Sequence, residues 1–277
     1  MRLFFALTLV SAAAALAQPV SIQFKSVDRT ILSERLSRVS TDNAQRAQRL
    51  LDMFREAGCA GDRLREQPVK GSKVPNVICT HPGQTADTIV VGARLDWWGS
   101  AGQGVIDNWS GAVLLPTLYQ SLPEGSRRHT FVFVGFSDRE SSPEGSRFYV
   151  RQLSREQREH TRAMIQLTSL GTGPVRVWMK QSDPRLINDI ARVAAAMKIP
   201  VTGVNIEEEI PKDDSAAFRD AKIPTLSIYS LTAQSFPLLG TARDTVEAIR
   251  QEDYYDTYRL VAAYLMLLDA TLSPPAQ

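Results

Sequence analysis

The stretch "VVGARLDWWGS", Val90–Ser100, opens with an apolar run that stops at a charged side chain. A second run of the same kind, "HTFVFVGFS", occupies residues 129–137. Continuous β-branched and aromatic runs are typical of strands that are covered on both faces, as in a parallel sheet. Because such sheets bind ligands beyond the carboxyl ends of their strands, Arg94 and Asp96 are candidate site residues.

The chain on either side of these strands alternates between strand and helix patterns. Further strands are predicted in "AMIQLTSLG", "VRVWMK" and "PTLSIYS", and long helices in "DPRLINDIARVAAAMK" and "TVEAIRQEDYYDTYRLVAAYLMLLDATL". Apolar residues at helical spacing predict helices over residues 29–39 and 42–57, and Gly58 is the C-cap of the second. Helical periodicity also marks "NWSGAVLLPTLYQSL", where Pro116 is expected to kink the helix or delay its start. This order predicts an α/β fold with three layers, in which a mixed, mainly parallel sheet is flanked by helices.

A hairpin is predicted before the first of these strands. Residues 63–69, "RLREQPV", and 75–80, "PNVICT", alternate polar and apolar residues around "KGSK". The two cysteines of the chain, Cys59 and Cys79, would then join the end of the preceding helix to the second hairpin strand. In an oxidising compartment we expect this pair to be bridged; two buried thiols are the alternative.

The N-terminal segment has the features of a secretory signal peptide. One arginine precedes an apolar run over residues 3–16, and Ala-Leu-Ala at 15–17 forms a small-residue cleavage site. An uncleaved N-terminal anchor is the alternative. No later segment is long and apolar enough to span a bilayer, so we expect a secreted or periplasmic protein with no membrane span after signal cleavage. The predicted organisation is a signal peptide at 1–17, a single domain at 18–272 and a disordered tail at 273–277.

Charge balance and histidine content argue against several function classes. Lys and Arg number 32 against 30 Asp and Glu, so no net positive field for binding nucleic acid is expected. With three histidines in the chain, a site that needs several imidazoles lacks material. His81 follows a predicted strand, His129 precedes one, and His160 lies in a charged helix. We expect all three histidines at the surface. No G-x-S-x-G sequence is present, which argues against a serine hydrolase of that kind.

Acidic and basic residues recur where the predicted strands end. They are Arg94 and Asp96, then Asp107 in "GVIDNWSG", then Asp138, Arg139 and Glu140 in "GFSDRESSPEGSRFY", followed by the segments "PKDDSAAFRDAKIPTLSIY" and "GTARDT". In this order and spacing the motifs resemble those of the peptidase M28 family, the exported dinuclear zinc aminopeptidases to which glutaminyl cyclases are related. The resemblance covers roughly residues 42–268 and implies a zinc-exopeptidase fold.

Carried over position by position, the resemblance implies a metal site in which most ligands are replaced. Two of the family's five ligand positions keep a metal-binding side chain: Asp107, the bridging carboxylate, and Glu140. The other three hold Arg94 in place of a His, Thr168 in place of an Asp and Gly240 in place of a His. A catalytic zinc needs about three protein ligands. We therefore expect no cofactor and regard Asp107 and Glu140 as remnants of a metal site.

The resemblance also implies that the general base is lost. Its position falls on Arg139, and a guanidinium cannot accept a proton at physiological pH. Asp96 and Asp214 match acidic residues of the family motifs, while Ser215 stands where the motif of Asp214 has a histidine. We expect no catalytic residue of the family type.

Arg94 and Arg139 suggest how the remaining carboxylates tolerate the loss of metal. Unpaired buried acids repel one another, and the planar guanidinium group can hold two carboxylates together. Our hypothesis is that this arginine pair replaces the metal charge through salt bridges to Asp107 or Glu140. The alternative is that both arginines point to solvent.

Three functions remain open on these residues. The favoured one is an exported pseudopeptidase that binds a peptide or protein. The second is an active zinc-dependent aminopeptidase with a divergent metal site, and the third is a structural module with a filled crevice. Trp97, Trp98 and Trp109 flank the crevice motifs, and we expect at least one of them to be packed in the core. The expected crevice residues are Arg94, Asp96, Asp107, Arg139, Glu140 and Asp214.

Overall fold

Eight strands form one sheet in the part of the chain that the structure describes. The structure is a computed structural model, and the described residues are 22–123, 125, 127–138, 143–205 and 214–272. The order across the sheet is β1-β2-β4-β3-β5-β8-β6-β7. In chain order the strands are β1 (Leu64–Gln67), β2 (Asn76–His81), β3 (Thr88–Arg94), β4 (Thr130–Phe136), β5 (Thr161–Leu167), β6 (Val175–Trp178), β7 (Val201–Val204) and β8 (Thr225–Tyr229).

Helices connect most of these strands, and side-chain caps fix where several of them begin. Asp42 accepts a hydrogen bond from the backbone N–H of Gln45 at 2.8 Å and starts α2, and Asp183 caps α7 in the same way. Pro184 occupies the first turn of α7, where no N–H is needed. The helices are α1 (Arg29–Ser37), α2 (Asn43–Glu56), α3 (Ser110–Ala112), α4 (Leu114–Ser121), α5 (Glu144–Gln152), α6 (Arg155–His160), α7 (Pro184–Met197), α8 (Ser215–Asp220) and α9 (Gln251–Thr271).

Four central strands run parallel, so their carboxyl ends meet at one edge of the sheet. β4, β3, β5 and β8 are parallel neighbours, whereas β2 pairs antiparallel with β4 and β6 antiparallel with β8. In this register Arg94 lies opposite Phe136 of β4, and Gly92 lies opposite Gln166 of β5. The prediction of a three-layer α/β fold with a mixed, mainly parallel sheet is confirmed, and Arg94 lies at the carboxyl edge.

Helices bury an apolar layer on each face of the sheet. On one face α5 and α8 pack through Tyr149 and Phe218, whose rings lie 5.9 and 6.1 Å from that of Phe136. On the other face α1, α2, α4, α7 and α9 form a larger core that includes Leu50 and Tyr264. Because both faces are covered, the open end of the sheet is where a ligand can reach the strands.

Several elements differ from the sequence-based expectation, among them α5 and α8, which were not predicted. β7 was not predicted, because its four residues "VTGV" are half exposed and interrupted by Gly203. The helix predicted across Pro116 is divided into α3 and α4, and Pro116 lies in the first turn of α4, where its missing N–H is harmless. The last helix begins at Gln251 rather than at residue 245, after a short 3₁₀ turn at Val246–Ala248.

A disulfide joins Cys59, just after α2, to Cys79 in β2, and both residues are buried. The predicted hairpin is also present, since Leu64 of β1 pairs antiparallel with Cys79. The predicted signal peptide and tail, residues 1–17 and 273–277, lie outside the described residues. Among the residues that are described, no helix combines the length and apolar character needed to cross a membrane.

Candidate functional site

Arg94 and Asp107 form an ion pair at the carboxyl edge of the sheet. Arg94 is the last residue of β3, and its Nη2 donates to Oδ1 of Asp107. The exposed fraction is 21 % for the Arg94 side chain and 36 % for that of Asp107. The pair therefore lies at the boundary between the interior and solvent, where a ligand could contact it.

Four carboxylates determine the ionisation of Arg94. Burial alone lowers the pKa of its guanidinium, but the negative charges of Asp107, Asp96, Asp138 and Asp214 raise it more, so the net pKa lies above the usual value for arginine. The side chain keeps its positive charge at every physiological pH. A fixed charge of this sign stabilises acids that would otherwise repel one another.

Asp96 and Asp138 are buried and adjacent. The backbone N–H of Asp138 donates to Oδ1 of Asp96 at 3.0 Å, and Nε1 of Trp98 donates to Oδ2 of Asp96. Burial raises the pKa of both carboxyls; the charges of Asp214 and Asp96 raise that of Asp138 further, and Arg94 opposes the rise in each. The site therefore disfavours full ionisation of its acids.

Asp214 and Gln166 extend this polar cluster along the sheet. Gln166, in β5, places its Nε2 at 3.5 Å from Oδ2 of Asp214, and both residues are almost fully buried. Within the described residues, Oε1 of Gln166 and Oδ1 of Asp138 are buried without a hydrogen-bond partner. Buried polar atoms of this kind are rare in proteins and mark the cluster as a candidate place for a bound polar group or water.

The turn that carries Asp107 is fixed on both sides. Asn108 donates from Nδ2 to the carbonyl of Leu167 at 3.0 Å and accepts from the N–H of Ser169 at 2.8 Å, which ties the turn to the end of β5. On the other side Oδ1 of Asp244 accepts from the N–H of Ile106 at 2.6 Å. These bonds place the Asp107 carboxylate facing Arg94 without help from a ligand.

Arg46 supports the loop between β3 and this turn. It is fully buried in α2 and donates to four backbone carbonyls, those of Ser40, Leu95, Gln103 and Gly104, at 2.6 to 3.1 Å. Burial lowers its pKa to about 10, so it stays charged at neutral pH. Sequence reasoning missed this residue, although Arg46 precedes Leu50 by one helical repeat and so lies on the apolar face of α2.

The three tryptophans near the site have different environments. Trp109 is fully buried and donates from Nε1 to the carbonyl of Leu36 at 3.1 Å, which confirms the prediction that at least one of them is packed. Trp97 is half-buried, and Trp98 is 43 % exposed beside Asp96. Trp98 is therefore the aromatic side chain available to a ligand at this edge.

All three histidines lie at the opposite, amino edge of the parallel strands. His81 ends β2 opposite Phe131, the second residue of β4, and His160 ends α6, with Nδ1 at 2.8 Å from Asp87. The prediction that His129 lies at the surface is wrong. His129 is fully buried, and its N–H and Nδ1 both contact Asp269 near the end of α9. None of the three contacts Arg94 or Asp107.

The other predicted site positions are distributed around the same edge. Thr168 follows β5 and is half-buried, and Ser215 is buried and accepts a hydrogen bond from Nη1 of Arg219. Gly240 has a φ of 66°, and its N–H donates to Oδ2 of Asp244 at 3.3 Å. Arg139 and Glu140 lie outside the described residues.

The donor set of the described residues does not fit a catalytic zinc. These residues include no group of three or more His, Cys, Asp or Glu side chains that could hold a metal ion. Asp107, which the resemblance identifies as the bridging ligand, instead has its Oδ1 engaged by Arg94. A cationic guanidinium at that oxygen competes directly with a metal ion for it.

Comparison with known proteins identifies the fold as zinc-exopeptidase-like. The structure resembles the LapA aminopeptidase of Legionella pneumophila, with a TM-score of 0.70 and 17 % identity over 93 % of this chain and 79 % of that one. It resembles a zinc aminopeptidase from Bacillus subtilis, with a TM-score of 0.63 and 18 % identity over 74 % of this chain and 52 % of that one. A glutaminyl cyclase from an Acidobacteriales bacterium gives a TM-score of 0.70 and 17 % identity over 94 % and 99 % of the two chains.

The family follows from the sequence itself. The model of peptidase family M28 matches residues 76–265, so the chain belongs to that family. No curated protein sequence matches the chain. The matched part of the chain spans about half the length of the Bacillus aminopeptidase.

Proposed function

We propose that this M28-family protein lacks metallopeptidase activity and binds a peptide or protein at the carboxyl edge of its sheet. The observation that carries the proposal is the ion pair between Arg94 and Asp107. In the family the corresponding Asp bridges two zinc ions, whereas here its Oδ1 accepts a hydrogen bond from a permanent cation. Metal binding would have to break this pair and then place a doubly charged cation beside the guanidinium of Arg94.

The residues at the other family positions support the same proposal. Gly240 has no side chain to offer, and Thr168 offers a hydroxyl where zinc sites use a carboxylate, imidazole or thiolate. Arg139 stands at the general-base position and cannot accept the proton of an attacking water. Asp107 and Glu140 alone fall short of the roughly three protein ligands that a catalytic zinc requires.

Charge replacement explains why the acids remain after the metal is lost. The Arg94 guanidinium is subject to the fields of Asp96, Asp107, Asp138 and Asp214, so one side chain offsets part of the charge that zinc offsets in active relatives. Arg139 would contribute a second positive charge to the same edge. In this proposal the protein keeps the fold of the family without its metal chemistry.

The ligand that suits this edge is the end of a peptide chain. The exposed ring of Trp98 offers an apolar surface beside Asp96, and the partly exposed Asp107 can accept a hydrogen bond from an ammonium group. Arg94 can contact a peptide carbonyl or carboxylate. Near balance between 32 basic and 30 acidic residues argues against nucleic acid as the partner.

Export completes the proposed function. The disulfide between Cys59 and Cys79 is typical of proteins from oxidising compartments. Together with the signal peptide predicted at residues 1–17 it supports a secreted or periplasmic location for the proposed binding role.

An active zinc-dependent aminopeptidase is the second candidate, favoured by the likeness of the fold to that of zinc aminopeptidases. Two measurements distinguish the two proposed functions: the zinc content of protein purified without chelators, and the activity of that protein on a panel of aminoacyl chromogenic substrates. We expect far less than one zinc per chain and no activity above that of an Asp107→Asn control. Stoichiometric zinc, with activity that the Asp107→Asn change abolishes, would establish the active enzyme instead.

A further inference from the structure

Two adjoining cavities open at the amino ends of β5 and β8, on the edge of the sheet opposite Arg94. The first has a volume of about 290 Å³ and lies between residues 180–183 and 222–225. The second, of about 480 Å³, extends past Thr161 to Leu272 at the end of α9. Both include Lys222 and Pro224 in their walls, and the larger has the size of a site for a small organic ligand.

Positive charge is concentrated on these walls. Two acids line them, Asp183 and Glu159: Asp183 caps α7 and lies 3.4 Å from the lining Arg185, and Glu159 pairs with Arg155 at 2.8 Å. The whole chain has a formal net charge of only +2. The cations that line the cavities are Arg158, Arg162, Lys180, Arg185, Arg219 and Lys222.

Three of these cations have no acidic partner among the described residues. Arg162 is bound to Asp87 at 2.6 Å, but within the described residues Arg158, Lys180 and Lys222 form no ion pair. Lys180 and Lys222 line the first cavity and Arg158 and Lys222 the second, and cations that line a concave space attract anions more strongly than the same charges scattered over a convex surface. The walls therefore favour a ligand with at least two negative charges.

Lys222 lines both cavities and follows the C-cap of α8, Ala221, in the left-handed conformation that is common at the end of a helix. Its φ is 61°, in the left-handed region that glycine adopts more readily than any other residue. Unlike glycine, a lysine at this position places a charged side chain on the wall that the cavities share. Ala221, Pro224 and Leu272 add an apolar surface next to it.

We propose that these neighbouring cavities bind an organic phosphate, with the phosphate held by Lys180 and Lys222 and the organic part against the apolar wall. Lysine and arginine are the side chains that proteins use for phosphate, and charge-assisted bonds to them are strong. The ligand could be a free sugar phosphate or the phosphate headgroup of a lipid. This site is separate from the Arg94 edge, so its test does not depend on the function proposed above.

The proposal is tested by calorimetric titration at low salt with glucose 6-phosphate, with glucose as the neutral control, and by sedimentation with phosphatidylglycerol or phosphatidylcholine vesicles. We expect a phosphate-bearing probe to bind the wild-type protein. The Kd of the Lys180→Gln/Lys222→Gln variant for the same probe should be about tenfold higher or more, a difference of about 1.4 kcal/mol. Lys70→Gln/Lys73→Gln is the matched control, since it removes two exposed lysines from the β1–β2 turn.

The two sources of phosphate are told apart by which probe binds. Binding of glucose 6-phosphate identifies a soluble ligand, and binding to phosphatidylglycerol vesicles alone identifies a headgroup. Binding of neither probe, or an equal loss in the matched control, would overturn the proposal. A Kd that does not change with added salt would also contradict it, because contacts between exposed charges are screened by salt.

Discussion

Arg94 Nη2 donates to Asp107 Oδ1 across the carboxyl edge of the sheet, and each partner is held in place by a different element. Arg94 is fixed as the last residue of β3. Asp107 is fixed by its neighbour Asn108, which bonds the backbone of Leu167 and Ser169. Because both partners are positioned independently, the ion pair is a built feature of the fold and its energetic coupling can be measured.

The first prediction concerns this coupling. Arg94→Ala should lower the free energy of unfolding at pH 7 by about 2 kcal/mol, between the values for exposed and for fully buried pairs. Urea denaturation of Arg94→Ala, Asp107→Ala and the double variant measures the coupling in a thermodynamic cycle. Arg94→Lys is the control that keeps the positive charge, and it should lower the free energy of unfolding less than Arg94→Ala does. A wild-type midpoint for Arg94→Ala would mean that the arginine is an ordinary solvent-facing substitution.

The second prediction concerns restoration of the family residue. Arg94→His should lower stability without creating a peptidase, because Arg139, Thr168 and Gly240 still deny the base and two ligands. Zinc analysis and an aminopeptidase assay of the purified variant check this. Gain of both stoichiometric zinc and activity from this single change would show that Arg94 alone disables the site.

The third prediction concerns acid sensitivity at the other edge. Burial raises the pKa of Asp87, but hydrogen bonds from Arg162 and His160 lower it more, so the net pKa lies below its usual value. A carboxyl group whose pKa is lower in the folded state stabilises the fold at pH values above its unfolded pKa of about 3.9. This stabilisation is lost as the pH falls through the folded pKa. Asp87→Asn should therefore lower the free energy of unfolding by about 2 kcal/mol at pH 7. The difference in stability between variant and wild type should become smaller below about pH 4.

Asp62→Asn is the control for this experiment, since Asp62 is exposed. Thermal melts of the two variants and the wild type between pH 3 and pH 7 give the comparison. A destabilisation by Asp87→Asn that stays constant over this range would refute the assigned ion pair.

The fourth prediction concerns the disulfide. Alkylation without reductant should label neither Cys59 nor Cys79, and alkylation after reduction in denaturant should label both, as read by mass spectrometry. The double change to serine should lower stability by about 3 kcal/mol, the value for a closed loop near the 20-residue separation of these cysteines. Two labelled thiols in the native, unreduced protein would contradict the bridge.

The strands and long helices could be predicted because their sequence patterns are local. The apolar runs of β3 and β4 and the periodic apolar residues of α2 and α7 carry their own signal. β7 could not be predicted in this way, because a four-residue edge strand that contains Gly203 has almost no pattern. Its place in the sheet depends on pairing with β6, a tertiary contact.

Parts of the candidate site depend on tertiary contacts in the same way. Arg46 lies on the apolar face of its helix, but only the fold reveals that loop carbonyls surround it. The burial of His129 depends on Asp269, 140 positions later in the chain. By contrast, the pairing of Arg94 with an acid could be anticipated, since strand ends converge at one edge of a parallel sheet.

The replacement of metal by Arg94 is tested most directly by the anomalous diffraction signal of zinc from crystals grown with excess zinc. We expect the Arg94 guanidinium to stay against Asp107, with no zinc peak between Asp107 and Glu140. Asp107→Asn crystals provide the matched background for adventitious surface zinc. A fully occupied zinc bound to Asp107 in the wild-type crystals, with Arg94 turned away from it, would show that the site is a metal site and that Arg94 does not replace the metal.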